Sequence, residues 1–178
     1  MFKSIGCARF AYNWGLSKWE EIYKQGGKPS KAKIRAEFNN TIKNDSNYVW
    51  LKEVSAQVTQ HAFEDLDNAY NNFFKGLSKY PKFKTKKRSK QCFYVRYDAI
   101  KFKDGKVNLE KIGKVKYKTN YHIPNLPKYI NPRCYFDGKY WYLSLSFEHN
   151  ENQVELDKDL SVGIDLGVAN LAIVNCLD

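Results

Sequence analysis

Apolar positions in the first 80 residues recur at helical spacing. From Phe2 to about Gln25, Phe10, Trp14 and the pair Ile22/Tyr23 form a stripe, and Gly26-Gly27 ends the predicted helix. Pro29-Ser30 starts a second helix, with Ser30 as its N-cap and Ile34, Phe38 and Ile42 four residues apart on one face. The strongest pattern follows: Val58, Ala62, Leu66, Ala69/Tyr70, Phe73 and Leu77 recur every three or four residues, while Gln57, Gln60, Glu64 and Asn71 fall elsewhere on the wheel. This predicts a helix from about Ser55 to Leu77 and a small three-helix bundle packed through Trp14, Phe38, Leu66 and Phe73.

The period changes after Tyr80-Pro81. Six of the nine residues from Lys82 to Lys90 are basic, with no core pattern, which reads as a loop that grips a phosphate backbone or as a solvated tether. From Cys92 onward short β-prone runs alternate with turn signals, and Asp104-Gly105 and Asp137-Gly138 both fit two-residue hairpin turns. Trp141, Leu143, Leu145 and Phe147 alternate with Tyr142, Ser144 and Ser146, the pattern of a strand buried on one face. The expected fold class is α+β: a helical bundle over 1–79, a basic antiparallel β domain, barrel-like or a sandwich, over 80–150, an acidic linker over 151–160, and a strand-forming end over 161–178.

Charge sharpens this division. The chain of 178 residues has a net charge of +11. Residues 1–74 carry 10 Lys/Arg against 8 Asp/Glu, residues 75–139 carry 19 against 4, and residues 140–178 carry 1 against 7. The middle third is thus the anion-binding candidate, through Lys82, Lys84, Lys86, Lys87, Arg88, Lys90, Arg96 and Lys116. Many of the 13 Tyr and 11 Phe are interleaved with these lysines, which suits base stacking beside phosphate neutralisation, although β-rich cores also consume aromatics. Cys7, Cys92, Cys134 and Cys176 are widely spaced, with no C-x-x-C pair, so neither a zinc site nor a disulfide framework is expected. His61, His122 and His149 are isolated and read as ordinary surface or core polar residues. With no leader and no apolar run of membrane-spanning length, the expectation is a cytoplasmic, nucleoid-associated protein without membrane or small-molecule partners.

One carboxylate stands out. Val162-Gly163-Ile164-Asp165-Leu166-Gly167-Val168 places Asp165 inside an apolar strand-like run, where an ionised acid is costly unless it is paired or metal-bound. A strand carrying Asp before Gly opens two kinds of ribonuclease-H-like domain: metal-dependent nucleases, and ATPases of the actin and chaperone clan. In the ATPases this motif normally lies near the N-terminus, whereas here more than 160 basic, aromatic-rich residues precede it. Ala169-Asn170-Leu171-Ala172-Ile173-Val174 reads as the second strand of a hairpin in either case.

Several segments in order resemble the TnpB family, the insertion-sequence-encoded OrfB transposases from which type V CRISPR effectors descend. They are Ala8-Arg9-Phe10-Ala11-Tyr12-Asn13-Trp14; Gln57-Val58-Thr59-Gln60 leading to Leu66-Asp67-Asn68-Ala69-Tyr70-Asn71-Asn72-Phe73-Phe74; and Tyr80-Pro81-Lys82-Phe83-Lys84. Lys111-Ile112-Gly113-Lys114-Val115-Lys116, Gly138-Lys139-Tyr140-Trp141-Tyr142 and the Asp165 segment complete the set. The resemblance implies an RNA-guided DNA endonuclease with a helical recognition lobe, a wedge barrel and a RuvC nuclease domain, using guide RNA and a double-stranded DNA target. It implies that Gln60 contacts the short target-adjacent motif, since a Gln amide bonds bidentately to an adenine edge. It implies too that Asp165 is the first of three carboxylates holding two Mg²⁺ ions. The other two acids, the family's zinc-binding cysteines and the strand that precedes Ala8-Arg9-Phe10 have no counterpart in these 178 residues. The expectation is therefore a chain shortened at both ends that binds nucleic acid, holds no metal and does not cut. The alternatives are a nuclease-dead guided repressor and, further off, an ATPase fragment.

Overall fold

The computed structural model describes residues 1–124 and 129–148, together with the backbone of 161–165 and 173–177. Helix α1 (Phe2–Lys24) and helix α3 (Ala56–Phe74) pack along their length, with the shorter α2 (Lys31–Asn40) beside them. A 3-10 segment, Ser46–Glu53, leads into α3 after Asp45 caps it by accepting from the Asn47 amide. The core between the helices is aromatic: Phe38, fully buried, meets Trp14 at 5.1 Å and Phe63 at 5.2 Å between ring centroids, both edge to face.

The stripe on α1 is rotated from the one its large residues predict. Ile5, Ala11, Tyr12, Gly15 and Leu16 face inward, Phe10 and Trp14 are half-buried, and Tyr23 is 70% exposed. The reason is close approach: a methyl group at Gly15 would lie 2.9 Å from Cε1 of Phe63 and 3.0 Å from Cδ2 of Leu66, so small residues sit at the helix crossing. On α3 the inward line is Val58, Thr59, Ala62, Phe63, Leu66 and Tyr70. Phe73, expected in the bundle core, packs on Phe74 and Tyr80 instead. The helix also stops before Leu77, which is 75% exposed. Gly76 takes φ +72, its amide donates to Phe73 O, and the Leu77 amide donates to Asn72 O, a Schellman termination that Gly26 and Gly27 repeat after α1.

The β region consists of two separate three-stranded antiparallel sheets, where a barrel was one expectation. The first has the order β1-β5-β6, from Gln91–Tyr94, Ile130–Phe136 and Trp141–Ser146; the second joins β2 (Lys101–Lys103), β3 (Lys106–Leu109) and β4 (Gly113–Lys116). Among the described residues no strand of one sheet is hydrogen-bonded to a strand of the other, so no barrel closes. Between their apolar faces lies a cleft of about 610 Å³, lined by Val107, Leu109 and Val115 on one side and Cys134, Trp141 and Leu143 on the other. Strand β1 lies against α1 and α3, and Phe93, Tyr94 and Val95 are buried there, so helices and strands share one core within Met1–Phe147.

Turn chemistry matches at one hairpin and differs at the other. Asp104-Gly105 is a two-residue turn with φ +52 and +66, the mirror-image type that suits strand twist. Asp137-Gly138 belongs to a four-residue connection, because Phe136 pairs with Trp141. There the Asp137 carboxylate accepts from the amides of Lys139 and Tyr140, each at 2.7 Å, and these bonds hold its pKa below the usual carboxylate value. Strand β5 carries a bulge at Asn131 (φ +45) and buried Pro132, a position where a strand tolerates proline.

Glu148–Asp178 forms a second unit. In it β7 (Ser161–Asp165) pairs antiparallel with β8 (Ile173–Leu177), and Asp165 at the end of β7 stands opposite Ile173. Of the expected second strand from Ala169, residues 169–172 lie outside the described residues, as does the expected linker over 151–160.

Candidate nucleic-acid interface

The basic connector between α3 and β1 is a built turn. Thr85 and Ser89 clasp each other: the Thr85 amide donates to Ser89 Oγ at 2.9 Å, the Ser89 amide to Thr85 O at 3.2 Å, and the Arg88 amide to Thr85 Oγ1 at 3.1 Å. Gln91 anchors the base by donating from Nε2 to the carbonyls of Lys86 and Ser89. Lys86, Lys87 and Arg88 stand exposed at its tip, with Lys82 and Lys90 exposed on either side. The Lys90 ammonium lies 4.7 Å from the Tyr135 ring centroid.

Lys84, expected among the gripping residues, is turned into the fold. Its backbone is held at both ends by Asn13, whose Nδ2 donates to Lys84 O at 2.9 Å and whose Oδ1 accepts from the Lys84 amide at 2.8 Å. Its ammonium sits 3.9 Å from the Tyr12 ring centroid and 4.0 Å from Asp65 Oδ2. Burial lowers its pKa, with the Asp65 charge opposing. It packs the connector onto α1 and α3 rather than facing solvent.

Asp65 is the centre of this joint. Arg133 on β5 reaches it with a bidentate pair, Nη2 to Oδ1 at 2.6 Å and Nη1 to Oδ2 at 3.0 Å, and a second bond from Arg133 Nε to Asn131 Oδ1 at 3.1 Å fixes the guanidinium plane. One turn away on α3, His61 stacks on Tyr94 of β1 with ring planes 12° apart. Burial lowers the His61 pKa, and the Arg133 charge lowers it further. Gln60, next to His61, is half-buried on the same helix. The sequence pattern did not single out Asp65, Arg133 or Lys84 as a set, since they lie 19 and 49 residues apart along the chain with no spacing rule connecting them.

Arg96 is exposed but engaged, with Nε and Nη2 bonded to the two Asp98 oxygens at 2.6 and 2.8 Å. Lys116 is exposed at the end of β4, beside Lys106 of β3. With it on one face lie Lys101, Lys103 and Lys114, which sequence reasoning passed over; their signal is the alternation in Lys101-Phe102-Lys103 and Lys114-Val115-Lys116. Among the described residues no three of His, Cys, Asp or Glu gather as a metal site, and Cys7, Cys92 and Cys134 are free thiols.

Residues 1–28, which comprise α1 and its glycine termination, match the helix-turn-helix domain model of the IS605 OrfB type. The chain is 27% identical over 177 residues to "Putative RNA-guided DNA endonuclease InsQ" of Escherichia coli (strain K12), covering 98% of this chain and 43% of that protein. The chain is thus similar to proteins of the TnpB family. A second relative, "Putative RNA-guided DNA endonuclease" of Streptomyces pristinaespiralis, is 26% identical over 178 residues, again spanning 43% of its length. The chain thus spans under half the length of the TnpB-type relatives it matches. No described helix is long and apolar enough to cross a membrane.

Proposed function

We propose that the chain is the nucleic-acid-binding part of a transposon-encoded, RNA-guided DNA endonuclease, and that it binds a guide RNA and a double-stranded DNA target. The observation that carries this reading is similarity to two proteins of that description along 98% and 97% of the chain. The surface supports it: the Lys86-Lys87-Arg88 tip, flanked by Lys82 and Lys90, offers point charges and a planar guanidinium to phosphates. Base pairing with the guide reads the target, and Gln60 on α3 reads an adenine edge of a short adjacent motif.

Asp165, at the end of β7, belongs in this proposal to the RuvC nuclease domain as a Mg²⁺ ligand. A two-ion site needs several acids, so the proposal assigns binding, not cleavage, to these 178 residues.

The test is binding of the whole chain to a DNA duplex, with and without RNA carrying the transposon end, at about 50 to 200 mM salt. Affinity should fall with a log–log slope of about −0.9 per phosphate neutralised, and the RNA should tighten binding to a matched duplex. Failure to bind either nucleic acid at about 50 mM salt would overturn the assignment.

A further inference from the structure

The register of β2, β3 and β4 places Lys101 opposite Asn108 and Asn108 opposite Lys114, then Lys103 opposite Lys106 and Lys106 opposite Lys116. Residues opposite one another in an antiparallel sheet share a face, and Phe102, Val107, Leu109 and Val115 fill the other. The outer face is therefore a grid of six positions holding five lysines and one asparagine. All six are exposed, and none makes an ion pair among the described residues. Directly opposed residues stand roughly 4.5–5.5 Å apart, and successive rows roughly 6.6 Å apart along the strand.

Such an array works against its own fold, because like charges opposite one another repel. Lysines on edge strands have an ordinary purpose in blocking strand addition, and that accounts for those on β2 and β4. It does not account for Lys106, which sits on the central strand between Lys103 and Lys116. We propose that this face is a platform for the phosphate backbone of a nucleic-acid double helix; the inference rests on the nucleic-acid reading above. A polyanion offsets the repulsion by placing a phosphate between neighbouring ammonium groups. The absence of any ring among the six side chains points to a double helix, since single strands are held by stacking on aromatics, and a face of point charges reads backbone without sequence.

The test uses the whole chain with Lys103, Lys106 and Lys116 replaced together by Gln, and a fluorescein-labelled DNA duplex of about 16 bp followed by anisotropy. Three lost phosphate contacts should flatten the log–log salt slope by about 2.7, so that between about 50 and 200 mM the original chain loses about 40-fold more affinity than the variant. The free variant should melt no lower than the original chain, which separates lost contacts from lost folding. A control with Lys24, Lys33 and Lys52, all exposed, changed to Gln has the same net charge and should keep the original slope. An unchanged slope in the first variant, an equal flattening in the control, or a larger effect on a single-stranded oligonucleotide would overturn the proposal. So would a loss confined to binding of phosphatidylserine vesicles. Failure of the original chain to bind any nucleic acid would instead remove the reading beneath it.

Discussion

Replacing Asp65 with Ala removes the one carboxylate on which Arg133 and Lys84 converge. Both partners of the bidentate pair are about three-quarters out of solvent, with 26% and 25% of each side chain exposed, and Lys84 Nζ stands 4.0 Å away. Two charge-assisted bonds contribute about 1.5 kcal/mol each at the low end of their range, and the remaining exposure discounts that sum. The substitution also leaves a half-buried guanidinium and ammonium facing each other, a cost of the kind that makes a broken buried pair worse than none. Together these give about 2–3 kcal/mol of lost stability. The assay is urea unfolding of a double-mutant cycle, Asp65→Ala against Arg133→Met. Because Asp65→Ala already sacrifices the pair, adding Arg133→Met should cost little more, with a coupling of about 1.5–2 kcal/mol. A coupling below about 0.5 kcal/mol would refute the claim that this pair holds α3 to β5.

Gly15→Ala should destabilise the chain by about 1–3 kcal/mol, because the added methyl meets Phe63 and Leu66 at about 3 Å across the α1–α3 crossing; thermal melting reads it, and a neutral result would mean the crossing is looser than described. His61 titrates in the unfolded chain near the ordinary imidazole value of 6.5, and burial first, then the Arg133 charge, lowers its pKa in the fold. The unfolded state therefore binds more protons as pH falls through that value, so stability should decline below about pH 6.5 until the lowered folded pKa is passed. His61→Gln should remove that part of the pH dependence of urea midpoints; an identical profile would show that another group carries it.

What the sequence made legible was the helical half and the sign of the charge. Val58, Ala62, Leu66 and Tyr70 repeat with a period that only one structure satisfies, and Gly26-Gly27 marks a stop by backbone conformation alone. What it hid depended on size and distance. Ala11 and Gly15 carry the helix crossing because they are small, so a reading weighted by large apolar rings rotated the stripe toward Phe10 and Trp14. Gly76 ended α3 within a pattern that continued to Leu77. Lys84 looked like its neighbours in a basic run, yet Asn13, Tyr12 and Asp65, far off in sequence, turned it inward. The lysine grid required register, which fixes who stands opposite whom and which no local pattern supplies.

The fate of the acids explains why the positive surface survives folding. Residues 75–139 contain four carboxylates. Asp98 is taken by Arg96, and Glu110 by Ser55 Oγ at 2.6 Å with Arg96 at 3.9 Å. Asp137 is spent on two amides of its own turn. Among the described residues Asp104, in the β2–β3 turn, alone of the four makes no side-chain bond, so almost no negative charge in this region is left to neutralise the lysines beside it. The same economy holds in the helices, where Lys31 is matched by Glu64 and Asp67, and Lys18 by Glu21 and Glu37. Lys18, Lys31, Lys84 and Arg133, which face other structural elements, are thus paired, while among the described residues those on the turn tip and the outer sheet make no ion pair. A surplus sorted in this way concentrates the field on the connector and the sheet face rather than spreading it over the molecule. An external polyanion meeting this surface displaces no internal partner, and the binding energy of each phosphate is not offset by an ion pair broken within the protein.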